Sequence, residues 1–216
     1  MKKSEEARIS EACLKKCMNV ARKNWNEWRD VFEHRGYLAS NPLLADKDRF
    51  VRFLSEYSVG RTIWKGKREK LRMALTDHST LRKAIQDDTG HALDNLERDL
   101  RPRFGSKKGK GRLVSALSKV AAFIKPERFV AWDRFARKGF NIELGRSDLS
   151  PFNNYSDYLA AFDSIWDSEV GRQIRNYVEK NDTHDQREHE PAFLRRVLDV
   201  YLMKRGGRWS GKGRRK

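Results

Sequence analysis

The sequence predicts an all-α fold, and three observations support this prediction. Apolar residues recur at the three- and four-residue spacing of a helix through most of the chain. Capping residues and glycines divide these segments into lengths that are typical of helices. No convincing strand pairing is present, and only a short hairpin near 141–153 stands as an alternative. We therefore expect a compact multi-helix domain.

The first half of the chain contains five predicted helices, which begin and end at recognisable signals. Ser4, followed by two glutamates, is a helix-start signal, and Gly36 ends the first segment after a stripe of apolar residues. A loop follows at 37–46, and Asp46 is predicted to cap the second helix. The remaining three predicted helices lie within 60–75, 76–88 and 91–100.

The second half begins with the clearest break in the chain, the segment 101–112. Six of its twelve residues are Lys or Arg and three are Gly, which predicts a basic loop. Further helices are predicted at 113–124, after Asp133, and at 155–166, 168–180 and 192–204, with loops at 141–154 and 181–191. Residues 205–216 form a Gly-rich basic tail that we expect to be disordered. The domain is expected to span 1–204, either as one body or as lobes 1–100 and 113–204.

The charge balance of the chain predicts a polyanionic partner. Lys and Arg number 47 against 30 acidic residues, which gives a net charge of +17. Nucleic acid is the favoured partner, duplex DNA before RNA, over the alternatives of an anionic membrane surface and a highly charged protein without a polyanionic partner. The candidate phosphate-binding residues are Arg101, Arg103, Lys107, Lys108, Lys110, Arg112, Arg134, Arg137, Lys138, Arg208, Lys212, Arg214 and Arg215.

Several classes of protein are disfavoured by the sequence. No apolar run approaches the roughly 18 residues of a membrane span, and the first ten residues lack the apolar core of a signal peptide. Cys13 and Cys17 lie four residues apart, so reduced thiols and an intracellular, cytoplasmic location are expected, at the nucleoid in a bacterium. Because no HExxH, paired CxxC or P-loop pattern occurs, no metal and no cofactor are predicted.

The stretch "SKVAAFIKPERFVAWDRFARKG", residues 118–139, contains the candidate catalytic residues. A helical wheel places Lys119 on the face opposite the apolar one, among small residues that allow a nucleic-acid backbone to approach. A turn at 125–128 brings Asp133 back towards the same helix. The alternatives are an ordinary surface lysine and an ordinary helix cap.

Three cations, Arg134, Arg137 and Lys138, crowd the predicted helix start after Asp133. Cations at this end of a helix oppose its macrodipole. A phosphate bound there would offset this cost, so the pattern favours an anion-binding role. Solvated arginines beside a cap are the alternative interpretation.

"SKVAAF" at 118–123 and "AWDRFA" at 131–136 resemble the core of the helix-hairpin-helix DNA glycosylase superfamily, and 53–68 is weakly similar to its earlier helices. The resemblance implies an all-helical fold with a helix-hairpin-helix-like core that binds duplex DNA and extrudes one base. It implies that Lys119 is the nucleophile that attacks the sugar carbon, and that Asp133 is its acidic partner. A non-catalytic DNA- or RNA-binding protein that uses its basic loop and tail is the alternative function.

Three aromatic residues are candidates for stacking on an extruded base: Trp64, Phe129 and Trp132. A base must leave the helical stack before an enzyme can reach its sugar carbon, and aromatic side chains commonly receive it. Packing in the hydrophobic core is the alternative role for each of them.

Overall fold

The computed structural model describes residues 8–34, 40–57, 63, 65–77, 79–87, 89–104, 113–145, 152–181 and 190–208. Within these ranges the all-α prediction is confirmed, since they contain twelve α-helices and no β-strand. The helices are α1 Glu11–Glu27, α2 Arg29–Phe32, α3 Pro42–Ala45, α4 Lys47–Glu56, α5 Arg68–Asp77, α6 Ser79–Asp87, α7 Gly90–Phe104, α8 Val114–Ile124, α9 Arg134–Glu143, α10 Tyr155–Trp166, α11 Glu169–Asn181 and α12 Pro191–Arg205. The predicted basic tail beyond residue 208 and most of the predicted basic loop lie outside the described residues.

The chain divides into two compact units. Unit 1 comprises Met1–Glu27, Arg134–Pro151 and Ala160–Lys216, and unit 2 comprises Trp28–Asp133 and Phe152–Leu159. The division differs from lobes 1–100 and 113–204, because α8 packs against α2 and α7 inside unit 2. The described residues on either side of the predicted basic loop, Arg101–Phe104 and Leu113, both belong to unit 2.

Unit 1 is organised around α12, which packs against α1, α9 and α11. The sequence predicts an amphipathic helix here, whereas the structure buries nearly the whole of it, including Arg195 and Asp199. Both charges have partners: the Arg195 guanidinium donates to Asp163 Oδ1 at 2.9 Å, and Asp199 is paired with Arg196. Burial of charge is tolerated because each charge is paired and hydrogen-bonded.

Helices α9 and α12 approach each other closely at two glycines. A Cβ atom built on Gly139 would lie within 3.0 Å of the Leu202 carbonyl group, and one on Gly206 would lie equally close to the Phe135 carbonyl group. Real Cβ atoms essentially never make such contacts with backbone. The two helices therefore pack backbone to backbone, which only glycine allows at these positions.

Unit 2 is held together by aromatic side chains from its first helices and α8. Trp28, Phe32, Phe53 and Tyr57 surround Phe123, with ring centroids between 4.6 and 5.7 Å from that of Phe123. Such tilted and edge-to-face pairs add about 0.5–1.5 kcal/mol each beyond the burial of area. The cluster anchors α8, the helix that bears the candidate nucleophile.

Three predicted loops contain helical residues in the structure. The predicted loop 37–46 contains the short helix α3, because Asn41 Oδ1 accepts the Leu43 N–H at 3.0 Å and Pro42 occupies the first helical position. The predicted loop 101–112 begins as helix, since α7 continues to Phe104, whose side chain is buried. Pro102 lies in the last turn of α7, and α9 similarly continues to Glu143, into the predicted loop 141–154.

Candidate functional site

The candidate site is built on α8 and on residues 129–133, which follow it. The chain turns after α8, where the N–H groups of Arg128 and Phe129 donate to the Lys125 carbonyl oxygen at 3.1 and 3.0 Å. Residues 129–133 then form a segment without regular secondary structure that is buried or half-buried and ends at Asp133. The turn that the sequence predicts at 125–128 is therefore present.

Four side-chain hydroxyl groups form hydrogen bonds with the backbone of this segment. Tyr155 donates its hydroxyl to the Val130 carbonyl at 2.7 Å and accepts the Val130 N–H at 3.0 Å. Tyr158 donates to the Ala131 carbonyl at 2.9 Å. The hydroxyls of Ser115 and Ser118 bind the carbonyl and N–H of Trp132, at 3.2 and 2.9 Å. Since buried backbone groups need partners, these side chains fix the path of the segment and hence the position of Asp133.

Lys119 and Asp133 form a buried ion pair at the end of this segment. Lys119 Nζ lies 3.6 Å from Asp133 Oδ2, and the two side chains are 7% and 13% exposed. Lys119 Nζ also donates to the carbonyl oxygen of Tyr57 at 2.9 Å. Tyr57 is the C-cap of α4, and a helix C-terminus carries partial negative charge that favours a cation. The ammonium is thus placed between a carboxylate and a helix end.

The open face predicted around Lys119 is not what the structure shows. Lys119 is buried, and so are its neighbours Ser118 and Ala116. The helical wheel correctly separates the apolar face, but it carries no information about the segment 129–133, which lies against Ser115 and Ser118. Lys119 is buried because this segment lies over it and places the Asp133 carboxylate beside the ammonium.

Two of the three stacking candidates are buried, whereas a residue that stacks on an extruded base must be open to solvent. Phe129 and Trp132 are 1% and 6% exposed, and both rings pack against Tyr155. This placement favours their alternative role in the core, while Trp64 lies outside the described residues. Tyr57, which sequence analysis did not single out, is the half-buried aromatic whose carbonyl binds Lys119. No local pattern marks it, because the contact joins residues 62 positions apart.

The candidate phosphate-binding residues fall on several elements. Arg101 and Arg103 are exposed in the last turn of α7, in unit 2. In unit 1, Arg134 and Lys138 are exposed on α9, Arg137 is half-buried there, and Arg208 is exposed after α12. The others lie outside the described residues: Lys107, Lys108, Lys110, Arg112, Lys212, Arg214 and Arg215.

No protein-family model, curated protein or solved structure matches the chain. Within the described ranges, no group of three or more His, Cys, Asp or Glu side chains is arranged to hold a metal ion. In that part of the chain, no helix combines the length and the apolar character needed to cross a membrane. Function must therefore be inferred from the geometry and charge of the site.

Tyr155→Phe tests whether side-chain hydroxyl groups anchor the segment 129–133. The substitution keeps the ring and removes the hydroxyl that serves both Val130 backbone groups. We expect a loss of about 2–4 kcal/mol in the free energy of unfolding, because each buried polar group left without a partner costs about 1–3 kcal/mol. Urea unfolding measures this loss of stability. Tyr177→Phe, at a half-buried tyrosine, is the control and should change stability by less than about 0.5 kcal/mol; equal effects would contradict the anchoring role.

Cys13 and Cys17 lie one turn apart on α1 as free thiols. A hydrogen bond from Cys17 lowers the pKa of Cys13 to about 6, and Lys204 acts in the same direction, while burial opposes the shift. The same hydrogen bond, with burial, raises the pKa of Cys17. Cys13 is therefore the thiol that ionises first.

Alkylation of Cys13 by iodoacetamide is expected to follow this pKa. The thiolate is the reactive form, so the rate should be half-maximal near pH 6, level off above pH ~7 and fall as the pH drops below 6. Lys204→Gln should move the midpoint to higher pH, because it removes a cation that favours the thiolate. Mass spectrometry of the labelled peptide measures both, and a midpoint close to that of an ordinary thiol would contradict the assignment.

Proposed function

We propose that the chain is a DNA-binding enzyme of the glycosylase type, with Lys119 as nucleophile and Asp133 as its acidic partner. The observation that carries the proposal is the 3.6 Å separation of Lys119 Nζ and Asp133 Oδ2 in a buried setting. Burying two charges costs several kcal/mol per ion, and catalytic groups are often found in such environments. The net charge of +17 supports a DNA substrate.

The chemistry assigns a distinct role to each of the two side chains. Asp133 accepts a proton from the Lys119 ammonium, which leaves a neutral amine with a free electron pair. The amine nitrogen forms a bond to the sugar carbon while the bond from that carbon to the base breaks, and the base departs with the bonding electrons. The Asp133 carboxyl group returns its proton to the departing base. The Asp133 carboxylate then takes a proton from the new ammonium nitrogen and delivers it to the ring oxygen, and the sugar ring opens to give a protonated imine between Lys119 and the sugar.

Borohydride trapping tests this function, because borohydride reduces the imine to a stable amine and joins protein to DNA. A panel of duplexes, each with one damaged or modified base, should include at least one that is trapped by the wild-type chain. Lys119→Met keeps the bulk of the side chain and should abolish trapping. Lys125→Met is the matched control: its Nζ donates to the Ile85 carbonyl at 3.0 Å, and it should be trapped like the wild type.

Asp133→Asn keeps the size of the side chain and removes its charge. At a temperature where circular dichroism shows this variant to be folded, trapping should slow by about 10²-fold or more, the usual contribution of a positioned acid–base group, while binding to DNA stays within a few fold. Neither trapping nor base release across the whole panel would contradict the catalytic role. Trapping that persists in Lys119→Met would contradict the assignment of the nucleophile.

A non-catalytic nucleic-acid-binding protein is the second candidate, and one observation favours it. Lys119 Nζ is bound to the Tyr57 carbonyl as well as placed beside Asp133, an environment that stabilises a protonated, structural ammonium. In that case the pair connects α4, α8 and the segment 129–133, and the exposed cations bind phosphates. Salt-dependent binding without any trapping is its expected signature.

Salt dependence is expected of both candidates. Each phosphate neutralised by Lys or Arg releases counterions, so log affinity for duplex DNA should fall linearly with log salt concentration, by about 0.9 per phosphate. Fluorescence anisotropy with a labelled duplex of unmodified sequence, from 50 to 200 mM NaCl, measures the slope. An affinity that does not change over this range would contradict binding through phosphates.

A further inference from the structure

A contact in unit 2 joins two basic segments that are far apart in sequence. The Lys67 ammonium donates to the backbone carbonyl of Arg103, across 36 positions of the chain. Lys67 ends a single 3₁₀ turn, Lys65–Lys67, which leads into α5, and Arg103 lies in the last turn of α7. The fold thereby places the start of α5 beside the C-terminal end of α7.

The cations around this contact face solvent. Lys70, Arg101 and Arg103 are exposed, with 55% of the Arg101 side chain accessible, and Lys67 is half-buried. Lys70 follows three positions later, in the first turn of α5. We call Lys67, Lys70, Arg101 and Arg103 the α5–α7 cationic surface.

The carboxylates near these cations leave the surface positively charged. Glu69 is engaged by Arg72, with Nη2 and Oε1 2.7 Å apart. Glu97 is buried, accepts the Leu113 N–H at 3.1 Å, and has its Oε1 4.0 Å from Arg101 Nε. Asp99 is exposed on α7, so Glu97 and Asp99 together offset two of the four positive charges and leave a net positive surface. The backbone is also accessible, because a Cβ built on Gly66 would meet no atom within 4 Å.

We propose that the α5–α7 cationic surface contacts the phosphate backbone of duplex DNA. This deepens the proposed function and rests on its DNA binding, not on its chemistry. Exposed Lys and Arg side chains beside an open backbone suit phosphates and carry no sequence information. A membrane-binding surface would combine its cations with a broad apolar face. In the described part of unit 2, Met73 is the large apolar side chain that is exposed, and it is isolated.

Two variants with the same change in net charge test the surface. The first carries K67Q, K70Q, R101Q and R103Q. The control carries K15Q, K16Q, K23Q and K180Q, at exposed lysines of α1 and α11 in unit 1. At 0.15 M salt the first variant should bind an unmodified duplex at least about tenfold more weakly, with a salt slope reduced by about 3, and the control should stay within about threefold of the wild type. Equal losses in the two variants would overturn the proposal.

A variant with only two of these substitutions is the control for misfolding. K70Q/R101Q leaves the Lys67–Arg103 contact intact and removes only the long pair between the exposed Arg101 and Glu97, which contributes little to stability. It should therefore keep a melting temperature close to that of the wild type and show about half of the loss in the logarithm of affinity. Unchanged DNA affinity in both surface variants, with a wild type that binds, overturns this surface alone. A wild type without salt-dependent binding overturns the proposed function and the surface together. Loss of binding to phosphatidylserine vesicles with DNA binding retained would identify a membrane surface instead.

Discussion

Gly139→Ala is expected to destabilise unit 1 by about 4 kcal/mol or more, enough to unfold a chain of ordinary stability. The added Cβ would overlap the Leu202 carbonyl group, which belongs to the backbone of α12 and cannot move as a flexible side chain would. The two helices would have to separate, and the apolar contacts on either side would loosen. Overpacking alone costs about 1–3 kcal/mol, and displacement of a helix adds to this cost.

Gly206→Ala should behave in the same way, because its Cβ would meet the Phe135 carbonyl from the other side of the same contact. Gly66→Ala is the matched control, since open space surrounds that position, and it should change stability by less than about 1 kcal/mol. Urea unfolding followed by circular dichroism measures all three variants. Stability within about 1 kcal/mol of the wild type in Gly139→Ala would show that α9 and α12 do not pack backbone to backbone.

Lys119→Met is expected to lower the free energy of unfolding by about 3–5 kcal/mol, the usual result of removing one partner of a buried pair. The substitution removes the ammonium that lies beside the Asp133 carboxylate, whose side chain is only 13% exposed. It also removes the Lys119 donor from the Tyr57 carbonyl. Lys119→Met with Asp133→Asn should recover about 2 kcal/mol or more of that loss, because the uncompensated charge is gone. Urea unfolding of the two single variants and the double variant gives the coupling energy.

The exposed pair Arg52 and Glu56 provides the control cycle. Their side chains are 54% and 35% exposed, so the coupling should be only about 0.3–0.5 kcal/mol. Equal coupling in the two cycles would contradict a buried pair at Lys119. The double variant also separates structure from chemistry, since it should be stable and bind DNA but never be trapped by borohydride.

Features governed by neighbours in the chain could be predicted from the sequence. Asp46 caps α4 as expected, with Oδ1 accepting the N–H groups of Asp48 and Arg49 at 2.8 and 3.0 Å. The turn at 125–128 and most helix positions were likewise predicted. These features depend on residues within one turn of each other, so local patterns are sufficient. The candidate pair of Lys119 and Asp133 was also selected from sequence, and the structure places their charges 3.6 Å apart.

The tertiary structure alone decided which of these residues are buried. A helical wheel places Lys119 on a polar face, but it cannot show that the segment 129–133 covers that face, with its backbone held by Tyr155, Tyr158 and two serines. The contact between Lys67 and Arg103 and the close approach of Gly139 to α12 are equally invisible in sequence. The physical reason is that helix formation depends on residues within a few positions. Burial depends on segments that are distant in sequence and come into contact only when the chain folds.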